Sequence, residues 1–141
     1  MNIGILLRTP FQTLVERIHV DLAKNGFEEI RPAHGNVFQF IGRNGSRITA
    51  MAEKAQMTKQ SMSYLVAYLE ERSYIERKAD PEDGRAIIFC LTPKGRKVVD
   101  IAEQSIQHLQ GEWKEQLGTK KFDNMVSSLQ DLNEIVKTKE S

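Results

Sequence analysis

Residues 58–73, TKQSMSYLVAYLEERS, decide how this chain is read. At about 100° per residue, Met62, Leu65, Val66 and Leu69 fall on one stripe, as a core-facing helix requires. Gln60, Ser63, Tyr64 and Ala67 fall on the opposite side. Thr58 offers an N-cap oxygen, and Lys59 and Ser61 flank the first turn. No acid appears before Glu70 and Glu71. The N-terminal half therefore suits a DNA major groove, where amide, hydroxyl and methyl groups read base edges. The same pattern also describes an ordinary amphipathic surface helix, and the segment alone does not separate the two.

Working outward, the 141 residues suit a single domain, 1–141, with enough material for a core. No signal peptide is expected, and no apolar run approaches the roughly 20 residues of a membrane span. The one cysteine, Cys90, excludes an internal disulfide framework and fits a reducing, cytoplasmic setting. Net charge is only +1, but it is unevenly spread. Residues 42–97 hold 11 Lys/Arg and 7 Asp/Glu, a balance of +4, and the rest hold 9 and 12, a balance of −3. The basic excess surrounds the 58–73 helix.

Before that helix, Asn2–Arg8 reads as an apolar leader, and Thr9-Pro10 as a helix start. Phe11, Leu14, Val15, Ile18 and Leu22 continue the stripe to Asn25-Gly26. A second helix is expected from Pro32 through Val37, Phe38 and Ile41 to Gly42. Arg43–Ser46 reads as a turn, and Thr49 as the cap of a short helix, Ala50–Ala55. Gln56-Met57-Thr58 then links short helix to longer polar-faced helix, a helix-turn-helix pattern.

After it, Tyr74–Lys78 and Ala86–Leu91 read as strands around the turn Ala79–Arg85, with its Asp-Pro and Asp-Gly signals. A hairpin in this position is a wing. Asp83 lies two residues from Arg85, and is expected to brace its guanidinium at a minor groove. A local ion pair in a solvated turn is the plainer reading, worth at most about 1 kcal/mol. Thr92-Pro93 caps a further helix through Val98, Val99, Ala102, Ile106, Leu109 and Trp113. Gly118-Thr119 breaks it, and Phe122, Met125, Val126, Leu129, Leu132 and Val136 mark a last one.

The run EKAQMTKQSMSYLVAYLEERSYIERKADPEDGRAIIFCLTPKGR resembles the winged helix-turn-helix core of the MarR family of bacterial transcription regulators. The resemblance rests on Met57–Ile75, on Asp83-Gly84-Arg85 and on Leu91-Thr92-Pro93-Lys94-Gly95. It implies a mainly α (α+β) fold, with a core over 31–97 and N- and C-terminal dimerisation helices over 1–30 and 98–141. It also implies an obligate homodimer, with the recognition helix in the major groove and a wing arginine in the minor groove. Many members are repressors relieved by a small ligand or by cysteine oxidation. Two positions depart from the pattern. Ser73 stands where glycine is common, so a left-handed cap there carries strain, and Gln56 replaces a residue often small or turn-favouring. The residues agree about the dimer, because the terminal helices carry more apolar stripe than a core of this size covers.

Enzymatic readings find little support. Gly42–Arg47 lacks the glycine spacing and Lys-Ser/Thr pair of a phosphate-binding loop. His19, His34 and His108 lack paired metal-ligand spacing, and Cys90 sits in an apolar strand where burial is expected. No catalytic residue, metal or cofactor is expected. The expected partner is double-stranded DNA carrying a pseudo-palindromic operator. Gln60, Ser63, Tyr64 and Ala67 face base edges, and Arg85, braced by Asp83, enters the minor groove. Lys59, Ser61 and Tyr68 contact phosphate, helped by Arg43, Arg47 and Arg77. A small aromatic or anionic effector is expected near His34 and Phe38. A winged-helix protein-interaction module and a ligand-binding protein with secondary DNA affinity remain alternatives.

Overall fold

The computed structural model describes residues 1–140. Helix α1 (Ile3–Lys24) is followed by a 3-10 turn (Pro32–His34) that runs into the single-turn helix α2 (Gly35–Phe38). Then come α3 (Ile48–Ala55), α4 (Lys59–Glu71), strands β1 (Ile75–Asp80) and β2 (Asp83–Leu91), α5 (Pro93–Leu117) and α6 (Thr119–Glu140). The fold is mainly helical with one antiparallel hairpin, a winged helix-turn-helix. Among the described residues, no helix is long and apolar enough to cross a membrane.

Three boundaries depart from the sequence expectation. Helix α1 begins at Ile3, not Pro10, because the Asn2 side chain caps it by accepting from the Gly4 amide at 2.9 Å. Pro10 lies inside the helix, where it cannot donate to a carbonyl one turn back. The segment expected to be helical from Pro32 to Gly42 is regular only to Phe38. Helix α3 starts at Ile48 with Arg47 as its extended N-cap, so Thr49 is inside it.

The α4 stripe builds the core as its spacing predicts: Met62, Leu65, Val66 and Leu69 are buried. They pack with Leu22, Ile30, Val37, Met51, Ala52, Ile75, Phe89 and Val98. Thr58 caps α4 by accepting from the Ser61 amide at 3.0 Å. The helix ends in a left-handed cap at Ser73 (φ +66°), with the Tyr74 amide donating back to the Leu69 carbonyl at 2.9 Å. Gln56, which closes α3, is also left-handed at φ 55°.

Tyr74, fully buried, is the meeting point. Phe27 and Phe38 approach its ring edge-on at centroid distances of 6.1 and 6.4 Å. Its hydroxyl donates to Glu29 at 2.5 Å, and Lys94 Nζ sits 4.3 Å from its ring centroid. Its carbonyl accepts from the Thr92 amide at 3.1 Å. The start of α5 comes so close that a Cβ on Gly95 would lie 2.1 Å from the Tyr74 carbonyl oxygen. That contact explains the glycine in Thr92-Pro93-Lys94-Gly95.

The wing is longer and tighter than expected. Its ladder pairs Ile75 with Leu91 through Ala79 with Ile87, then slips so that Asp80 faces Asp83. Only Pro81 and Glu82 lie between the strands, and Gly84, Arg85 and Ala86 bulge out of the ladder. At the base, Ser46 bridges to Phe89 through bonds of 3.0 and 2.8 Å, adding one residue to the sheet.

Helix α1 lies along α5, fixed by Arg17–Glu112 at 2.9 Å and by Ser105 donating to Asp21 at 2.6 Å. Beyond these contacts, large apolar side chains stand open to solvent. Ile3, Ile5, Leu6, Leu7 and Phe11 do so on α1, as do Met125, Leu129, Leu132, Ile135 and Val136 on α6.

Two opposite stability changes follow from the backbone geometry around Tyr74. Ser73→Gly should raise thermal stability by about 1 kcal/mol, since glycine adopts positive φ without the steric cost. Gly95→Ala should destabilise by about 1–3 kcal/mol or more, because a backbone oxygen must move. Denaturant titration reads both. Equal stability of Gly95→Ala and wild type would contradict the close approach.

Candidate nucleic-acid interface

Burial of one α4 stripe fixes which residues its other side presents. Tyr64 is 77% exposed, Lys59, Gln60, Ser61 and Ala67 are exposed, and Ser63 is half-buried. The Ser61 hydroxyl accepts from Thr58 Oγ1 at 2.9 Å, so it is part of the helix cap. Tyr68 departs from its expected role at phosphate. Its hydroxyl donates to the Glu29 carbonyl at 2.7 Å, and its ring stacks on His34 at 4.4 Å. The Arg72 guanidinium lies 3.5 Å from the same ring's centroid. The reason is angular: position 68 falls toward the flank of α4 that faces the 27–38 segment.

Two arginine bridges fasten the wing to the helices. Arg47, the N-cap of α3, donates through Nε and Nη2 to Asp80 at 2.9 and 2.7 Å. Arg77, on β1, donates to both oxygens of Glu70 near the end of α4, at 2.6 and 2.9 Å. Asp80 is held below the usual carboxylate range first by the Glu82 amide and then by Arg47. Glu70 is held down by its bond from Arg77. Exposed pairs of this kind contribute little to stability, but they set where the hairpin points.

At the tip, the Arg85 side chain is 98% exposed. The expected brace is a different one. Asp83 Oδ1 accepts from the Arg85 backbone amide at 3.1 Å, whereas the guanidinium Nε is 4.0 Å away. The carboxylate shapes the turn through the backbone and holds the guanidinium only loosely, at the outer limit of an ion pair. Arg43 is also exposed, in the turn before α3.

An exposed helix face, backed by a buried stripe and tied to a hairpin with an open arginine, can be compared with known proteins. Residues 30–86 match the model of the MarR family. The match covers 57 of the 141 residues, from Ile30 into the wing, and over that stretch the chain is similar to this family. The exopolysaccharide II synthesis transcriptional activator ExpG of Rhizobium meliloti is 28% identical over 81 residues, 57% of this chain and 42% of that protein. The chain spans 42% and 64% of the length of the two curated relatives that it matches. Among solved structures, CouR of Rhodococcus jostii bound to p-coumaroyl-CoA has a TM-score of 0.71 at 23% identity, covering 93% of this chain and 91% of that one. A MepR variant of S. aureus bound to an oligodeoxyribonucleotide has a TM-score of 0.63 at 19% identity, covering 96% and 99%. These solved structures show the shared fold.

In this core, His34 and Phe38 are packing residues. His34 is 5% exposed, and Phe38 abuts Tyr74. Cys90 is half-buried rather than buried, with Sγ 4.0 Å from the Asn44 carbonyl. It sits under Gly45 (φ +95°), where a Cβ would come within 2.7 Å of the sulfur. Sequence reading missed Glu29, Glu70 and Asp80, which position Tyr74, Arg77 and Arg47. Their partners are distant or across a turn, so no local spacing marks them.

The imidazole of His34 accepts from the Arg31 amide through Nδ1 at 2.8 Å. Its pKa is lowered first by burial, then by Arg72, His19 and Arg31, against the opposite pull of Glu29. His19 is lowered too, again mainly by burial. With the folded pKa below the unfolded value of about 6.5, the unfolded chain takes up protons first. Stability should therefore fall as pH drops below about 6.5, before the carboxylates titrate. Melting curves between about pH 7.5 and pH 5.5 should show this, with a shallower fall in the His19→Asn/His34→Asn variant. A flat wild-type profile would sink the account.

Proposed function

We propose that this protein is a sequence-specific, double-stranded-DNA-binding transcription regulator that acts as a homodimer. The observation that carries this reading is the polar face of α4, open to solvent and tied by Arg47–Asp80 and Arg77–Glu70 to a wing whose Arg85 is 98% exposed. Gln60, Ser63, Tyr64 and Ala67 meet base edges in the major groove. Lys59 and Ser61 lie against the backbone at the first turn, with Arg43 beside them, and Arg85 enters the minor groove. Arg47 and Arg77 contribute by holding the wing.

The exposed apolar rows of α1 and α6 support the dimer. Burying them against a second copy removes a surface that would otherwise face water. A two-fold axis then offers two recognition helices to successive major grooves, about 34–36 Å apart, and a pseudo-palindromic operator. In this reading the dimer represses by occluding a promoter. A small aromatic or anionic effector releases it by changing the spacing of the two α4 helices, and the p-coumaroyl-CoA bound to CouR supports that class of ligand.

Sedimentation at micromolar concentration should give a species of twice the 16.1 kDa chain mass. A monomer there would remove the half-site coupling on which the mechanism rests. Salt titration separates the two kinds of contact. Arg85→Ala should lower affinity for all sequences and flatten the slope of log affinity against log salt by up to about 1.8 per dimer. Gln60→Ala and Ser63→Ala should keep the slope and lose about 1–3 kcal/mol of discrimination at particular base pairs. Wild-type behaviour of Arg85→Ala on operator and scrambled DNA would remove the wing from the interface.

A further inference from the structure

We infer that the reading face of α4 recognises A·T base pairs, through thymine methyl and adenine amide contacts, and carries at its centre no arginine or lysine for the bidentate reading of guanine. This inference rests on the DNA-binding reading above and narrows its substrate class. Helix geometry puts Gln60, Tyr64 and Ala67 within about 60° of one another, opposite the buried stripe of Met62, Leu65, Val66 and Leu69. They are the centre of the exposed face, and each brings one kind of chemistry.

The Gln60 carboxamide carries a donor and an acceptor side by side, matching adenine N7 and N6 in the major groove. The Tyr64 ring, 77% exposed, and the Ala67 methyl present apolar surface. The C5-methyl of thymine is the apolar feature of the major-groove edges. Guanine O6 and N7 ask instead for two donors, which arginine or lysine supplies.

The cations near α4 are placed elsewhere. Within the helix the sole cation is Lys59, about 100° round from Gln60 and on the flank. Arg72 lies over the Tyr68 ring at 3.5 Å, and Arg77 is bound to both oxygens of Glu70. Glu71 shares the Gln60 line but lies about 16 Å further along the axis, beyond the N-terminal turns that meet bases in a docked helix-turn-helix.

The test is selection of an operator from random-sequence DNA by the full-length protein, followed by replacement of dT with dU, which removes the C5-methyl alone. The selected half-sites should have A·T pairs where α4 docks. Substituting dU at the contacted thymine of both half-sites should weaken wild-type binding about fifteenfold, at about fourfold per methyl. The Tyr64→Ala protein should respond much less to the same change. Replacing T·A by 5-methylcytosine·G keeps the methyl and removes the adenine, so it should cost wild type roughly 5- to 150-fold but cost Gln60→Ala little. Invariant guanines at the docked positions, or equal binding to dT and dU operators, would overturn this inference and leave DNA binding intact. Failure to enrich any sequence would overturn the DNA-binding reading itself.

Discussion

The structure depends on how closely the start of α5 can approach the residue that follows the recognition helix. Tyr74 is fully buried, and its carbonyl lies where a Gly95 side chain would have to be. Through its ring and hydroxyl it also holds Phe27, Glu29 and Phe38. One side chain thus fixes the end of α4, the start of β1, the segment after α1 and the first turn of α5. The phenol must stay protonated to donate to Glu29, and burial, reinforced by that carboxylate, raises its pKa. The wing cannot move as a unit without disturbing this contact.

Around that fixed point the cations divide by task. Arg47, Arg72 and Arg77 are engaged by Asp80, by Glu29 together with the Tyr68 ring, and by Glu70. Lys94 donates to the Arg72 carbonyl. These groups orient elements. Lys59 and Arg85 stand at the surface, at the start of α4 and the wing tip. A count of cations alone therefore overstates how many are left to meet a partner.

Much of the fold was legible because it rests on period and punctuation. The 3.6-residue stripe of Met62, Leu65, Val66 and Leu69 survives any tertiary context that keeps α4 helical. Thr58 and Thr92 cap where their sequence neighbours say they should. Asn2 was not legible as a cap, because Thr9-Pro10 gives a stronger local signal and nothing local says that a helix will tolerate Pro10 inside it. Tyr68 was misassigned for a related reason. Its helical angle lies between core and surface, and only the stacking partner His34, far away in sequence, settles its side. The Arg47–Asp80 pair spans 33 residues, so neither residue advertises the other. The geometry of Asp83 and Arg85 was half legible: an acid two residues from the arginine was plain, but not that its closest bond would be to the backbone.

The hairpin has two unlike ends. At its base Ile88 and Phe89 are buried, and Ser46 completes the hydrogen bonding. At its tip Gly84, Arg85 and Ala86 leave the ladder, and Gly84 and Arg85 are exposed. An isolated two-stranded hairpin is marginal in water, so order must be supplied from the base. Residues at the tip can consequently be exchanged, inserted or lost with almost no penalty to folding. Evolution can retune the reach and charge of this loop for a new target while the scaffold beneath it stays the same.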